Sequence, residues 1–121
     1  RFSWPIRASV GSRFGPRGNR FHPGIDFPAA WNTRVGAARQ GRVVFAGWSP
    51  GDRGRLVIVS HGYGMRSFYA HLNRVTVRAV QLVARGMRVG LVGSSGFSTG
   101  PHLHFELRRR GAAVDPLPAL R

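Results

Sequence analysis

Gly100-Pro101-His102-Leu103-His104-Phe105-Glu106 governs how the rest of the chain is read. Two histidines stand one residue apart in an apolar run. Side chains alternate across a β-strand, so residues i and i+2 share a face. Leu103 and Phe105 then enter a core, while His102, His104 and Glu106 line a cleft. On that face Glu106 either orients one of the imidazoles or pairs with an arginine at the strand edge. Three further histidines, His22, His61 and His71, complete the set. The site depends on which of them reach this pair.

The flanking chain predicts an all-β, mostly antiparallel fold with few or no helices. Gly 17 and Pro 8 fall between short apolar runs, the pattern of strands joined by turns. Strands are expected at residues 25–27, 34–37, 42–47, 55–61, 66–71, 80–83 and 87–92. Val57-Ile58-Val59 is β-branched throughout, as in a strand buried on both faces. Gly62-Tyr63-Gly64 and Arg85-Gly86 read as hairpin turns. Strict alternation from Arg66 puts Ser67, Tyr69 and His71 on one face, opposite Phe68 and Ala70. Residues 72–79 are ambiguous, and Val114-Asp115-Pro116 reads as a strand end. Residues 1–20 read as an irregular arm with turns, within which 1–11 form the N-terminal arm of a single domain spanning 1–121. The small-residue loop at 93–101 is either a flexible connector or a segment that lets a ligand approach the backbone closely.

Composition limits the chemistry. The chain has 121 residues, enough for a real core, and no apolar run approaches the ~20 residues of a membrane-spanning helix. It opens on Arg1-Phe2-Ser3-Trp4-Pro5, without an initiator Met or signal-peptide pattern, as expected of an excised or processed stretch. Net charge is +15, and every one of the 19 basic residues is Arg. Such a field favours polyanionic surroundings, but the arginines are scattered. Only Arg108-Arg109-Arg110 forms a run, and beside Gly111 it reads as a solvated strand end. A nucleic-acid binder is disfavoured, because no recognition motif and no interleaved basic-aromatic platform is present.

With no cysteine, any metal must be held by histidine and carboxylate. Only Asp26, Asp52, Glu106 and Asp115 are acidic. Asp26 follows His22 by four residues, across a Pro23-Gly24 turn that feeds a short strand. A zinc hydrolase needs three protein ligands and an open fourth position. His22, Asp26 and one of His102 or His104 make the most economical set. The other cleft histidine, with His71, is then free for proton transfer and transition-state stabilisation. Taken alone, His22 and Asp26 also fit a simple turn hydrogen bond, and His61, before Gly62, fits a turn or supporting residue.

Three segments in order resemble the LytM/lysostaphin-type zinc metallopeptidases, peptidase family M23. Phe21-His22-Pro23-Gly24-Ile25-Asp26-Phe27 is similar to that family's H-x-x-x-D segment, and Gly100 to Glu106 to its H-x-H segment. Tyr69-Ala70-His71-Leu72 is similar to its intervening histidine motif. Ser12-Arg13-Phe14-Gly15-Pro16-Arg17 and residues 93–100 resemble the flanks, so the likeness runs from about Ser12 to Pro116.

The resemblance implies an antiparallel β domain with a substrate groove over its sheet. It implies one Zn²⁺ held by His22, Asp26 and His104, with His71 and His102 as catalytic histidines. The implied substrate is a peptide bond in a peptidoglycan cross-bridge or stem peptide, cut by zinc-activated water. In the implied division of labour His102 accepts the water's proton and His71 steadies the oxyanion, although the residues themselves do not order the two roles. An extracytoplasmic location follows; any membrane anchor or regulatory segment would lie outside these residues. Some relatives have lost metal ligands and act as non-catalytic activators of other wall hydrolases. Every motif position is filled here, so an active enzyme is expected, with a wall-binding or activator module as the alternative.

Overall fold

The alternating and β-branched stretches do form strands. In the computed structural model, which describes residues 1–121, these are β1 (Gly15–Arg17), β2 (Arg20–His22), β3 (Ile25–Pro28), β4 (Arg34–Gly36), β5 (Gly41–Ser49), β6 (Gly54–Gly62), β7 (Met65–Val75), β8 (Leu82–Val83), β9 (Arg88–Val92), β10 (His102–Arg109) and β11 (Ala112–Val114). A single 3₁₀ turn, Leu117–Ala119, is the only helical element. All strand pairings are antiparallel: β1 pairs only with β2, and the other nine strands form one sheet.

Strand β10 lies at the centre. One of its edges pairs with β7, and the other pairs first with β3 and then with β11. From β7 the sheet continues through β6 and β5 to β8, while β9 bridges β4 and the end of β7. The inner face is apolar: Ile25, Phe27, Val57, Val59, Tyr69, Leu72, Leu103, Phe105 and Leu107 are fully buried. Residues 103 and 105 thus point into the core as alternation requires.

Four local expectations change. The arm at 1–20 contains a regular hairpin, β1–β2, and His22 ends a strand rather than sitting on a turn. Its first residues are also anchored, since Phe2 bridges Leu120 and both are buried. Residues 72–75 extend β7. Finally, Arg85-Gly86 does not close a hairpin. The two residues of β8 pair with β5, and the turn bonds outward: Gly86 N–H donates to Ala37 O, and the Arg34 guanidinium donates to Gly86 O. The expected turn at Gly62-Tyr63-Gly64 does form, joining β6 and β7.

A buried polar chain braces the inner face. Ala38 N–H donates to the Tyr69 hydroxyl at 2.9 Å, and the Tyr69 and Ser67 hydroxyls lie 2.7 Å apart. His61 places Nδ1 2.8 Å from Gln40 O and Nε2 2.8 Å from Ser67 Oγ. A carbonyl only accepts, so Nδ1 carries the hydrogen in the neutral ring, Nε2 accepts from Ser67, and Ser67 accepts from Tyr69. Burial lowers the His61 pKa, which favours this neutral ring. His61 therefore supports the fold from outside the cleft.

Burial pushes the Tyr69 hydroxyl up to about 12, against roughly 10 in an unfolded chain. Between these values the unfolded chain loses its proton while the native one keeps it, so stability falls as pH rises. Without Lys or Cys, the only other phenol is Tyr63, which is 95% exposed. Thermal unfolding followed against pH should show stability falling by about 1.4 kcal/mol per unit once pH rises above about 10. Tyr69→Phe should abolish that slope.

Candidate metal centre and groove

Register creates the first contact of the site. His104 on β10 lies directly opposite Asp26 on β3, and directly opposed residues share a sheet face. Asp26 Oδ1 is 2.8 Å from His104 Nδ1. The Pro23-Gly24 turn then folds His22 back over Asp26. A side chain at Gly24 would meet Phe105 O at 2.3 Å and His104 Cε1 at 3.1 Å, so only glycine permits this close approach. His22 Nδ1–H donates to Arg13 O at 2.9 Å, leaving Nε2 3.2 Å from Asp26 Oδ2. His22, Asp26 and His104 each offer one donor atom, and these atoms lie within 4.8 Å of one another.

His71 arrives by a different device. Alternation would place it with Ser67 and Tyr69 on the inner face, and that expectation is overturned. Between the pairs Val57↔Tyr69 and Arg55↔Leu72 the register slips by one residue, a β-bulge on β7. His71 takes a left-handed φ of 61° there, unusual for a residue with a side chain. The bulge turns its ring toward the other site histidines, 4.7 Å from the His102 ring and 6.0 Å from the His104 ring, centroid to centroid. His71 N–H donates to Arg53 O, and its Nδ1–H donates to Ser95 O at 2.7 Å. His102 is held similarly, its Nδ1–H donating to Gly100 O at 2.9 Å. In each neutral ring Nε2 is then the acceptor. Burial, assisted by His102 and His104, lowers the His71 pKa and keeps that ring neutral.

The loop at 93–101 is therefore a pinned support. Ser95 Oγ donates to Leu72 O and accepts from Arg55 N–H, while Phe97 N–H donates to Asp52 O. Gly54 passes so close that a side chain there would meet Ser95 carbonyl carbon at 2.4 Å.

Beneath the site lies a buried carboxylate. Glu106 accepts from His104 Nε2 at 2.7 Å, from Arg53 Nη2 at 2.9 and 3.1 Å, and from Arg108 Nε and Nη2 at 2.9 and 2.7 Å. Burial alone would raise its pKa, but His104 and the two arginines outweigh that and bring it down to about 2. For His104, burial works downward and the bonds to Asp26 and Glu106 work upward, with a net rise. Asp26 is lowered overall, its burial outweighed by His104, His22 and His102. Both readings of Glu106 hold at once, since it orients an imidazole and pairs with arginines. Arg108, two residues on, was legible as sharing its face; nothing in the sequence marks Arg53, which arrives from the β5–β6 turn.

The four residues expected in the cleft with Asp26, namely His22, His71, His102 and His104, are thus brought together, and His61 is not. His22, Asp26, His102 and His104 line a groove of about 590 Å³, together with Arg17, Arg20, Phe21, Asp52, Phe97 and Ser98, and His71 packs against the His102 and His104 rings.

The sequence profile of peptidase family M23 matches residues 20–116. The chain belongs to that family. This M23 domain is 39% identical to an uncharacterized metalloprotease of Haemophilus influenzae, over 97% of its own length and 26% of the relative's. It is also 39% identical to the murein hydrolase activator EnvC of Escherichia coli, over 97% of its own length and 28% of the relative's. It spans about a quarter of these relatives. Among solved structures, the catalytic domain of the antimicrobial peptidase lysostaphin from Staphylococcus simulans superposes with a TM-score of 0.85 at 34% identity, covering 93% of this chain and 91% of that one. The all-β antiparallel fold is shared, and the family includes both peptidases and a hydrolase activator.

The Glu106 environment makes a prediction. Glu106→Ala would leave two arginines without their carboxylate and should lower stability by about 3 kcal/mol in urea unfolding. The Glu106 contribution is present above about pH 4.5 and is lost as pH falls toward 2. Glu106→Gln keeps the volume and should fold, and since Glu106 orients a residue of the candidate metal group, affinity for added divalent metal should drop roughly 10–100-fold, read by competition against a fluorescent chelator.

Proposed function

We propose that this M23 domain is a zinc-dependent endopeptidase that hydrolyses peptide bonds of bacterial peptidoglycan, in a cross-bridge or stem peptide. The supporting observation is the meeting of three donor atoms, from His22, Asp26 and His104, beside two histidines whose Nε2 atoms are free of hydrogen in the neutral state. The donor set suits a cation. With Nδ1–H of His22 committed to Arg13 O, its Nε2 lone pair and a carboxylate oxygen of Asp26 face each other at 3.2 Å, an unfavourable contact unless a proton or cation lies between them. Two imidazoles and a carboxylate, without thiolate, match zinc sites that keep a fourth position open.

A zinc ion held by these three residues would supply Lewis acidity at the scissile carbonyl and lower the pKa of a water toward about 7. The rest falls to the protein. Glu106 fixes the His104 ring by accepting its Nε2–H, so Nδ1 is the atom turned toward Asp26. His102 presents an Nε2 lone pair that takes a proton from the attacking water and returns it to the leaving amine. His71 is neutral with its hydrogen on Nδ1, so it donates to an oxyanion only after taking up a proton itself. Either ring fits the base role, and whichever holds the proton becomes the donor. The substrate would place this activity outside the cytoplasm, in the cell envelope.

A second reading, a non-catalytic activator or wall-binding module, draws on the likeness to EnvC. The intact donor set and both further histidines favour turnover. Two experiments separate the readings.

In the first, zinc content is measured by mass spectrometry for the wild type and four variants. The wild type, His71→Ala and His102→Ala should hold about one zinc per chain, whereas His22→Ala and Asp26→Ala should hold little. In the second, peptide release from purified sacculi should fall at least ~10²-fold in His71→Ala and His102→Ala. A zinc-loaded wild type that leaves sacculi and synthetic cross-bridge peptides uncut, yet binds sacculi regardless of chelator, would establish the activator reading instead.

A further inference from the structure

The groove does not end at the metal centre. On its sheet face β10 and β7 set His104 opposite Ala70, Glu106 opposite Phe68, and Arg108 opposite Arg66. Beyond Glu106 lies a cavity of about 460 Å³ lined by Arg53, Arg66, Phe68, Arg108, Arg110 and two glycines, with no acidic residue. Arg53 also lines the histidine groove, so the two spaces adjoin.

The four arginines are not equivalent. Arg53 and Arg108 bond to Glu106 and lie over the Phe68 ring, 5.3 and 5.5 Å from its centroid. Arg66 and Arg110 are exposed and have no ion-pair partner. Arg110 is nonetheless positioned: it has a left-handed φ of 50° in the β10–β11 turn, and its N–H donates to Gly64 O at 2.7 Å. Two arginines directly opposed across a strand pair repel, a local cost that an anion would relieve. A guanidinium presents a planar fork of donors matched to a carboxylate. Arg108-Arg109-Arg110 is therefore more than a solvated strand end. Arg108 and Arg110 face this cavity, whereas Arg109 is paired with Met65 and Ala112 and is not among its lining residues.

We propose that Arg66 and Arg110, lining this cavity with Phe68, form a subsite for a carboxylate on the substrate peptide. From His104 to Arg108 is four residues of strand, on the order of 13 Å. The recognised carboxylate then sits several residues along an extended chain from the cleaved bond, as either a chain-terminal or a side-chain carboxylate. This assignment rests on the peptidase reading above.

The test uses zinc-loaded protein and synthetic cross-linked peptides identical except that a terminal carboxylate, a side-chain carboxylate, or both are amidated. Binding is followed by calorimetry and cleavage by chromatography in parallel. The wild type should bind a free-carboxylate peptide about tenfold more tightly than the fully amidated one, and the singly amidated peptides identify which carboxylate is read. Arg66→Gln/Arg110→Gln should lose that preference through KM, with little change in kcat; Arg110→Gln alone should weaken it, while Arg109→Gln, which removes the same single charge outside the cavity, keeps it. Thermal unfolding confirms that each variant folds, and Arg110→Gln alone serves if the double variant does not. Carboxylate preference without cleavage would uphold the subsite and remove the peptidase reading. Cleavage with equal affinity for all peptides, absence of binding by any of them, or an equal loss in Arg109→Gln would overturn the subsite.

Discussion

One strand has to serve two environments at once, and the architecture follows from that constraint. On β10, Leu103, Phe105 and Leu107 close the core, while His104 and Glu106 between them build the site. A one-residue slip against β3 or β7 would exchange the two sets, moving imidazoles and a carboxylate into the apolar layer. Register is therefore held on both edges, by β3 and β11 on one side and β7 on the other. The same register that seats Phe105 opposite Ile25 and Tyr69 puts His104 opposite Asp26.

The electrostatics are arranged around scarcity. The chain has four acidic residues against nineteen arginines, and two of the four, Asp26 and Glu106, flank the His104 ring. Glu106 is fully buried, and Arg53 and Arg108 keep it ionised. A carboxylate so firmly charged holds the His104 hydrogen on Nε2 and leaves Nδ1 facing Asp26. The arginines thereby hold ring orientation through an intermediary, without touching the centre themselves.

Much of this was legible in residue order. Alternation alone placed His102, His104 and Glu106 on one face and Leu103 and Phe105 on the other. The Pro-Gly turn between His22 and Asp26 was readable because proline and glycine both disfavour a helix there. The orientation of His71 was not readable. Its direction depends on a one-residue register slip between β6 and β7, and no glycine marks the left-handed residue. The β8–β5 pairing was hidden for a similar reason: Arg85-Gly86 has hairpin chemistry, but partners outside the turn take its hydrogen bonds. Arg53 escaped notice because its value comes from a contact 53 residues away in sequence.

The proposed zinc site divides five side chains, with His22, Asp26 and His104 as ligands and His71 and His102 beside the metal. A zinc-edge anomalous difference map from crystals grown with zinc near neutral pH tests this most directly. It should contain one strong peak about 2.0–2.2 Å from His22 Nε2, an Asp26 carboxylate oxygen and His104 Nδ1, with the Nε2 atoms of His71 and His102 outside bonding distance. A peak coordinated by His71 or His102, or no ordered peak among these residues, would contradict it.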